Sequence, residues 1–574
     1  MAETKLFEEF APVSTEKWIE AITKDLKGAD YAKKMLWQSP DGLAVKPFYR
    51  AEDLQGLEYL SAAPGAFPYS RSTHATGGWR IREVVELADA SLANQEALTA
   101  VKAGAEEIAF KGIKIATAAD LKTVVAGIDV PVHFVGADAA LVKLVAAAGI
   151  KASTDLCPLC DKAAAADVAK AVPAGFKAFV IDAAQFEESG ATAPEEVGFA
   201  LAAGVEALQS LIEAGVDGEK AASLVAFEFA IGSSYFYQIA KLRAFRAVWA
   251  KAVESFGLSK AAAKATVYAR TSRWNKTIYD AYNNVLRATS EAMSAVIGGV
   301  DVLSVAPFDE CFRASDEPSR RLARNTQLVL KKEAHLAQVS DPAGGSYAVE
   351  NLTNFVAVEA WKKLQAIEAE GGFIAAKGKV VDPALAASLA ARKKAVAQRR
   401  KVYTGTNQFA NLTEKVLDTL DMSRVEGQER ATAAYEALRL KTERAAKKTG
   451  SSPLFVLAEI GDLKMRSARS GFAANFLGCA GFSLKTQRFA SIDEIVAYDA
   501  AVIVLCSSDA EYLSFVEELM PKLKAAGKSV PVIVAGAPET AEQLTAAGVA
   551  DFVHVRSNVL ETLAKWQQKL GIEG

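Results

Sequence analysis

Cys157-Pro158-Leu159-Cys160 has the separation found in thiol–disulfide and zinc sites. Zinc takes four ligands, and no second C-x-x-C and no H-x-x-x-H accompanies the pair. A thioredoxin-type site would need its own fold around the motif, so the pair reads as two ordinary cysteines. Five cysteines in all, an odd number in a long chain, predict reduced thiols and a cytoplasmic protein. The four histidines, His74, His133, His335 and His554, are scattered without an i, i+4 pair, so no metal site is expected. His133 lies among apolar neighbours in a strand pattern and reads as a hydrogen-bonded core histidine. His74, in Ser72-Thr73-His74-Ala75-Thr76-Gly77-Gly78-Trp79, is placed to line a pocket. Asp341-Pro342-Ala343-Gly344-Gly345-Ser346-Tyr347 is a dense turn, and Arg324-Asn325-Thr326-Gln327 is a polar cluster inside a helical pattern. No Walker loop and no G-x-S-x-G is present.

The elements that would position these residues form two α/β blocks. Between about residues 80 and 340, apolar runs alternate with helical patterns. The strand candidates include Glu107–Phe110, Val130–Val135, Ala178–Ile181, Leu224–Phe229, Ala265–Ala269 and Val300–Val305. The helical patterns include Ala139–Ala148, Val197–Ala214, Tyr237–Ser255 and Tyr279–Ile297. Repeated β–α units with apolar strands predict a parallel sheet covered by helices, and the number of units favours a closed (β/α)₈ TIM barrel. A second alternation follows, with strands at Leu454–Ile460, Phe482–Thr486, Ala501–Leu505, Val530–Val534 and Phe552–Val555. It predicts a flavodoxin-like doubly wound sheet, whose ligands would bind beyond the carboxyl ends of the strands. The expected domains are an arm over 1–50, the barrel over 51–400, a helical linker over 401–452 and the open sheet over 453–574. Ser14-Thr15-Glu16 is expected to cap a helix in the arm. The basic stretches Arg392 to Lys401 and Lys441 to Lys448 read as solvated helix faces.

Composition narrows the function classes. The 574 residues are 51% hydrophobic and 24% charged, with a net charge of −3. That profile suits a globular protein with a large core and favours neither nucleic acid nor an anionic membrane as partner. No apolar run reaches the roughly 18 residues needed to span a bilayer. The opening MAETKLFEEF lacks a basic region followed by an apolar stretch, so it does not read as a secretory leader.

Four motifs in order carry a resemblance. Ala240-Lys241-Leu242-Arg243, Tyr282-Asn283-Asn284-Val285, Ala323-Arg324-Asn325-Thr326-Gln327 and the Asp341–Tyr347 turn resemble the barrel motifs of methylmalonyl-CoA mutases. Asp25-Leu26-Lys27-Gly28-Ala29-Asp30 through Trp37 to Asp41-Gly42 is similar to the arm of that family's small subunits. The resemblance implies an adenosylcobalamin-dependent radical isomerase that interconverts succinyl-CoA and (R)-methylmalonyl-CoA. Acyl-CoA would lie along the barrel axis and cobalamin on the C-terminal domain, with the cofactor carrying the difficult chemistry.

Taken residue by residue, the same resemblance implies a loss of function in this chain. The family's cobalamin loop, D-x-H-x-x-G, falls at Asp462, Lys464 and Ser467, so the aspartate stays while the cobalt-ligating histidine and the glycine are gone. A lysine ammonium has no lone pair to offer a metal. Ser507 and Ser508 persist after the third strand, and the later paired glycine appears as Ala535-Gly536. In the barrel, the tyrosine and arginine of T-M-Y-x-x-R-P-W fall at His74 and Gly77, with Trp79 matching and Ser72 near the threonine. The Y-H pair that holds the thioester carbonyl falls at Ala184 and Gln185, aligned through Glu188 and Gly190-Ala191-Thr192. The stretch from Val135 to Ala178 is short for the full substrate loops. The implied role is a non-catalytic small subunit with no catalytic or cofactor-binding residues of its own. Adenosylcobalamin would sit on a large-subunit partner. The alternatives are a self-sufficient cobalamin-dependent mutase for another acyl-CoA, and an accessory protein that loads a mutase.

Overall fold

The computed structural model describes residues 10–572. The reading of MAETKLFEEF as lacking a leader falls largely on residues 1–9, outside that range.

Eight parallel strands make the first sheet: β1 Arg80–Glu86, β2 Glu107–Lys111, β3 Val132–Val135, β4 Ala152–Thr154, β5 Phe179–Asp182, β6 Val225–Ile231, β7 Val267–Thr271 and β8 Val302–Ser304. Their order, β4-β3-β2-β1-β8-β7-β6-β5, brings β4 and β5 to the two ends of one sheet. Those ends meet. Thr154 N donates to Lys177 O at 2.8 Å, Leu156 N to Ala178 O at 3.2 Å and Val180 N to Leu156 O at 3.4 Å, which closes the barrel. The six strands expected from apolar runs are present, and β1 and β4 add to them. β1 reads RIREVVE, and its arginines and glutamates hid the strand because several point into a polar barrel interior. β4 is three small residues, too short to give a pattern.

Aspartate is the recurring N-cap of the barrel's helices. Asp89, Asp138, Asp161, Asp217 and Asp316 each accept a hydrogen bond from a backbone N–H in the first turn of the following helix. Thr192 and Glu195 form a capping box at the start of α2, Ala193–Glu213 (α1 being Thr15–Asp25 in the arm). α2 packs on α3, Tyr235–Ser255, and on α4, Tyr347–Ala369. The approach of α2 to α4 requires Gly198: a Cβ there would lie 2.7 Å from Lys363 Cβ and 3.0 Å from Ala360 O. Phe227, Phe245 and Trp249 fill the space between β6 and α3 with edge-on ring contacts.

The arm holds α1, capped by Ser14, whose hydroxyl accepts from Lys17 N. Trp18 stacks on Phe48 at 4.6 Å, and Asp41 accepts from Ala193 N at 2.8 Å, which pins the arm to the start of α2. Residues 401–452 include an irregular stretch ordered by Asn407, followed by α5, Ala433–Thr449, whose Tyr435, Glu436 and Arg439 are buried. Of the basic stretches, Arg392 turns inward and lies over the Trp274 ring, while Lys393 and Lys447 meet acidic partners near the surface.

The C-terminal sheet is β9 Leu454–Glu459, β10 Ser483–Arg488, β11 Val502–Cys506, β12 Val532–Val534 and β13 Asp551–Phe552. Its all-parallel order β10-β9-β11-β12-β13 is the flavodoxin order. One of its two apolar layers takes in Trp274, Val396 and Tyr403, so the open sheet shares a core with the barrel's end.

Candidate functional site

The barrel axis is the first place to look, because side chains on alternate strand positions point into it. Its middle is a packed polar layer. The Arg82 guanidinium lies 4.4 Å from the Tyr268 ring centroid, and its Nη2 is 2.6 Å from Glu107 Oε1. Nη1 of Arg82 is 3.6 Å from Glu228 Oε1, and the second oxygen of Glu107 meets Arg80 at 3.0 Å. The His133 ring meets Tyr268 edge-on at 5.8 Å, and its Nδ1 is 2.8 Å from Ser153 Oγ. Arg82, Glu107, His133 and Tyr268 are each at most 4% exposed. Burial, with Arg82 nearby, holds His133 well below its ordinary pKa, so the imidazole is neutral. Burial pushes the Tyr268 hydroxyl up to about 12. The expectation of a hydrogen-bonded core histidine at 133 agrees with this geometry.

That layer divides the barrel into two recesses. Above it, at the carboxyl ends of the strands, lies a cavity of about 550 Å³ with Arg82, His133 and Glu228 in its floor. Arg270 is its central cation: Nη1 is 2.6 Å from Glu228 and 3.3 Å from Asp182, and Nη2 is 3.3 Å from Glu188. Burial raises the carboxyls of Asp182 and Glu188, with Arg270 acting against it. Burial also raises Asp155, which accepts from Gly136 N and Ala137 N. The ionisable groups of this mouth are therefore largely engaged with one another and with backbone. Below the layer, at the amino ends, a recess of about 660 Å³ has Glu107, Ser153 and Tyr268 as its inner wall and His74, Lys177 and Asp301 further out.

The sequence-derived site residues do not converge. His74 is exposed at the lower recess, where Nε2 lies 3.0 Å from Asp301 Oδ1, a contact that raises its pKa. Gly77 is beside it in sequence. A Cβ there would fall 2.5 Å from Val339 O and 2.8 Å from Ala337 O, so no side chain can stand at that position without moving backbone. Ala184 and Gln185 lie past the carboxyl end of β5, at the opposite mouth. Ala184 is buried, and the exposed Gln185 lines the upper cavity while its Nε2 donates to Asp182 O at 2.9 Å. The polar layer stands between the two pairs.

The family-type motifs serve the framework. Arg243 is fully buried, with Nε 2.9 Å from Asp341 and Nη2 2.8 Å from Glu350, which ties α3 to the 341–347 turn and to α4. Asn284 bridges Thr277 and Phe308 through backbone groups. Arg324 meets Glu83 at 2.5 Å, and Gln327 accepts from Trp79 Nε1 at 3.0 Å.

At the C-terminal sheet, Asp462 is the N-cap of α6, Leu463–Leu477, and accepts from Met465 N at 2.7 Å. What would be a cofactor loop is thus wound into helix, with Lys464 and Ser467 exposed on its first turns. The crevice beside it is occupied by Glu511. Its carboxylate accepts from Ser507 Oγ and Ser508 Oγ at 2.6 Å each and from Asp462 N at 3.1 Å. Those hydrogen bonds hold the Glu511 carboxyl down at about 2. A lysine where the family has its ligating imidazole, a helical segment and a carboxylate in the crevice do not fit cobalamin, whose cobalt takes a lone-pair donor.

The cysteine expectation is corrected. Cys157 and Cys160 are joined in a disulfide with a Cα–Cα distance of 5.5 Å, while Cys311, Cys479 and Cys506 are free and buried. Among the described residues no group of three or more His, Cys, Asp or Glu could hold a metal ion. The axial residues Arg82, Glu107, Glu228, Tyr268 and Arg270 were not singled out from sequence. The signal was present: in VAFEFAI a lone Glu228 interrupts an otherwise apolar strand, and in VYART Tyr268 and Arg270 fall two apart on one face.

The methylmalonyl-CoA mutase family profile matches residues 162–468. The methylmalonyl-CoA mutase small subunit of Porphyromonas gingivalis is 39% identical over 99% of both chains, and that of Streptomyces virginiae is 31% identical over 98% of both. The Streptomyces virginiae large subunit is also similar, at 29% identity over 75% of this chain and 66% of its own. With the barrel, the flavodoxin-type sheet and the ordered motifs, these matches show that the chain belongs to the methylmalonyl-CoA mutase family and resembles its small subunits from end to end.

Proposed function

We propose that this chain is the non-catalytic small subunit of a heterodimeric, adenosylcobalamin-dependent methylmalonyl-CoA mutase. Its large-subunit partner would hold both the cofactor and the acyl-CoA and interconvert succinyl-CoA and (R)-methylmalonyl-CoA. The observation that carries this reading is the Arg82–Glu107–Tyr268–His133 layer, which occupies the axis that a thioester would have to thread. The Glu511 plug and the helical 462–467 segment point the same way for the cofactor. The positions His74, Gly77, Ala184 and Gln185 are then an idle pseudo-site, and Asp462, Lys464 and Ser467 a degenerate loop. The arm, with Trp18 and Trp37 about half exposed, offers apolar surface for the partner. No helix among the described residues is long and apolar enough to cross a membrane. A cytoplasmic location for the complex belongs to the proposal and rests on the family resemblance. The domain limits 1–50, 51–400, 401–452 and 453–574 belong to the same proposal.

The test is to make the chain alone, then with a family large subunit. Alone it should show no cobalamin absorbance and no isomerase activity, and the mixture should form a stable complex that is active. Stoichiometric cobalamin binding by the isolated chain would overturn the assignment in favour of a self-sufficient mutase.

A further inference from the structure

Cys157 and Cys160 lie at the weakest joint of the barrel. β4 ends at Thr154, and the chain then contributes Leu156 to the contact that closes the sheet onto β5, through Leu156 N to Ala178 O and Val180 N to Leu156 O. Cys157 is the next residue. Neighbouring strands in the rest of the barrel pair through continuous ladders, whereas here Leu156 and Phe179 form an isolated bridge. Asp155, on the other side of Leu156, ties the same loop to Gly136 and Ala137 after β3. The disulfide therefore fixes the segment that completes the barrel wall beside the upper cavity.

Its surroundings differ from those of the other three thiols. Cys160 is exposed and Cys157 partly so. Asp161, directly after Cys160, is the N-cap of the helix Lys162–Ala171, so a Cys160 thiolate would lie at the positive end of a helix. Cys311 and Cys479 are buried, and burial raises their thiols to about 12 and about 11; Cys506 is raised further still. A loop of this few residues removes little entropy from the unfolded chain, so the bridge adds little as a global staple in a protein with this much core. Its effect is local.

We propose that Cys157–Cys160 is a reversible thiol–disulfide exchange site that locks the β4–β5 seam when oxidised. The reductant is a dithiol. One of its thiolates attacks the exposed Cys160 sulfur, the S–S bond breaks, and the electron pair leaves on Cys157, which takes up a proton. The second thiol of the reductant then displaces Cys160. Overall, two electrons and two protons pass to the protein and the dithiol becomes a disulfide.

The experiment equilibrates the full-length folded chain in reduced and oxidised dithiothreitol at varied ratios. It is then trapped with iodoacetamide, and the labelled cysteines are mapped by mass spectrometry. Cys157 and Cys160 should lose labelling together along a two-electron curve, while the other three thiols stay unlabelled in every native sample. Cys160→Ser should abolish the transition. Amide hydrogen exchange at residues 154–160 and 178–180 should be faster in the reduced form, with no change in the C-terminal sheet. A pair labelled at every ratio, or one protected until the chain unfolds, would overturn the exchange site. Exchange with identical amide protection in both forms would overturn the lock.

Discussion

Substituting Arg82 with Met tests whether the axial layer is a structural plug held by charge. The substitution keeps most of the side-chain volume and removes a guanidinium that is 4% exposed. It breaks the 2.6 Å pair with Glu107 and the stacking on Tyr268 at 4.4 Å. Breaking a buried pair costs about 3–5 kcal/mol because the remaining charge is left in low dielectric. Here Glu107 keeps Arg80 at 3.0 Å and Glu228 keeps Arg270 at 2.6 Å, so neither carboxylate is abandoned and the lower end applies. We therefore expect a loss of about 3 kcal/mol, of which roughly 1 is the ring contact. For a cooperative unit of barrel size that is a fall in Tm of about 4 °C. Replacing Glu107 by Gln in the same chain removes the carboxylate as well, and Arg80, half exposed, can turn to water. The double variant should recover about 2 kcal/mol relative to the sum of the singles. Urea unfolding followed by tryptophan fluorescence reads this directly, since Trp79, Trp249 and Trp274 are buried in or against the barrel. A single-variant loss below about 0.5 kcal/mol, or strict additivity in the cycle, would refute the argument that this pair holds the plug.

Three further outcomes follow from the same geometry. Lys177 is held at about 8 by burial, with backbone carbonyls of Ser223 and Val225 as its acceptors. Its folded pKa is below the unfolded value of about 10.4, so its charge penalises folding at neutral pH and the penalty fades as pH rises through that window. Lys177→Met should be the more stable form at pH 7 in thermal unfolding, with the difference shrinking above pH 8 towards about 10.4. Glu511, held at about 2, contributes stability above the ordinary carboxylate range that is lost as pH falls towards 2. Glu511→Gln should flatten the acid limb of unfolding of the C-terminal sheet between about pH 4.3 and 2, read by circular dichroism. Lys464→His alone should not create a cobalamin absorbance band, because Asp462 still caps the helix and Glu511 still fills the crevice. A band of full stoichiometry would show that the lost ligand was the whole obstacle.

By itself, the sequence determined the class of the fold and the family resemblance. Apolar runs such as Val225–Ile231 and Val502–Cys506 are buried on both faces of parallel sheets, so they stand out without any tertiary information. Lys464, where the family motif has a histidine, is likewise read from a single position. Tertiary structure decided what fills the space. Arg82, Glu107, His133 and Tyr268 come from four strands, and whether they block an axis or line it depends on register and closure, which no local pattern encodes. The same holds for Cys157 and Cys160. Their spacing permits a thiol pair or a bridge equally, and the turn after Leu156 brings the sulfurs together. It also placed His74 and Gln185 at opposite mouths of the barrel, with the polar layer between them, which their positions along the chain do not encode.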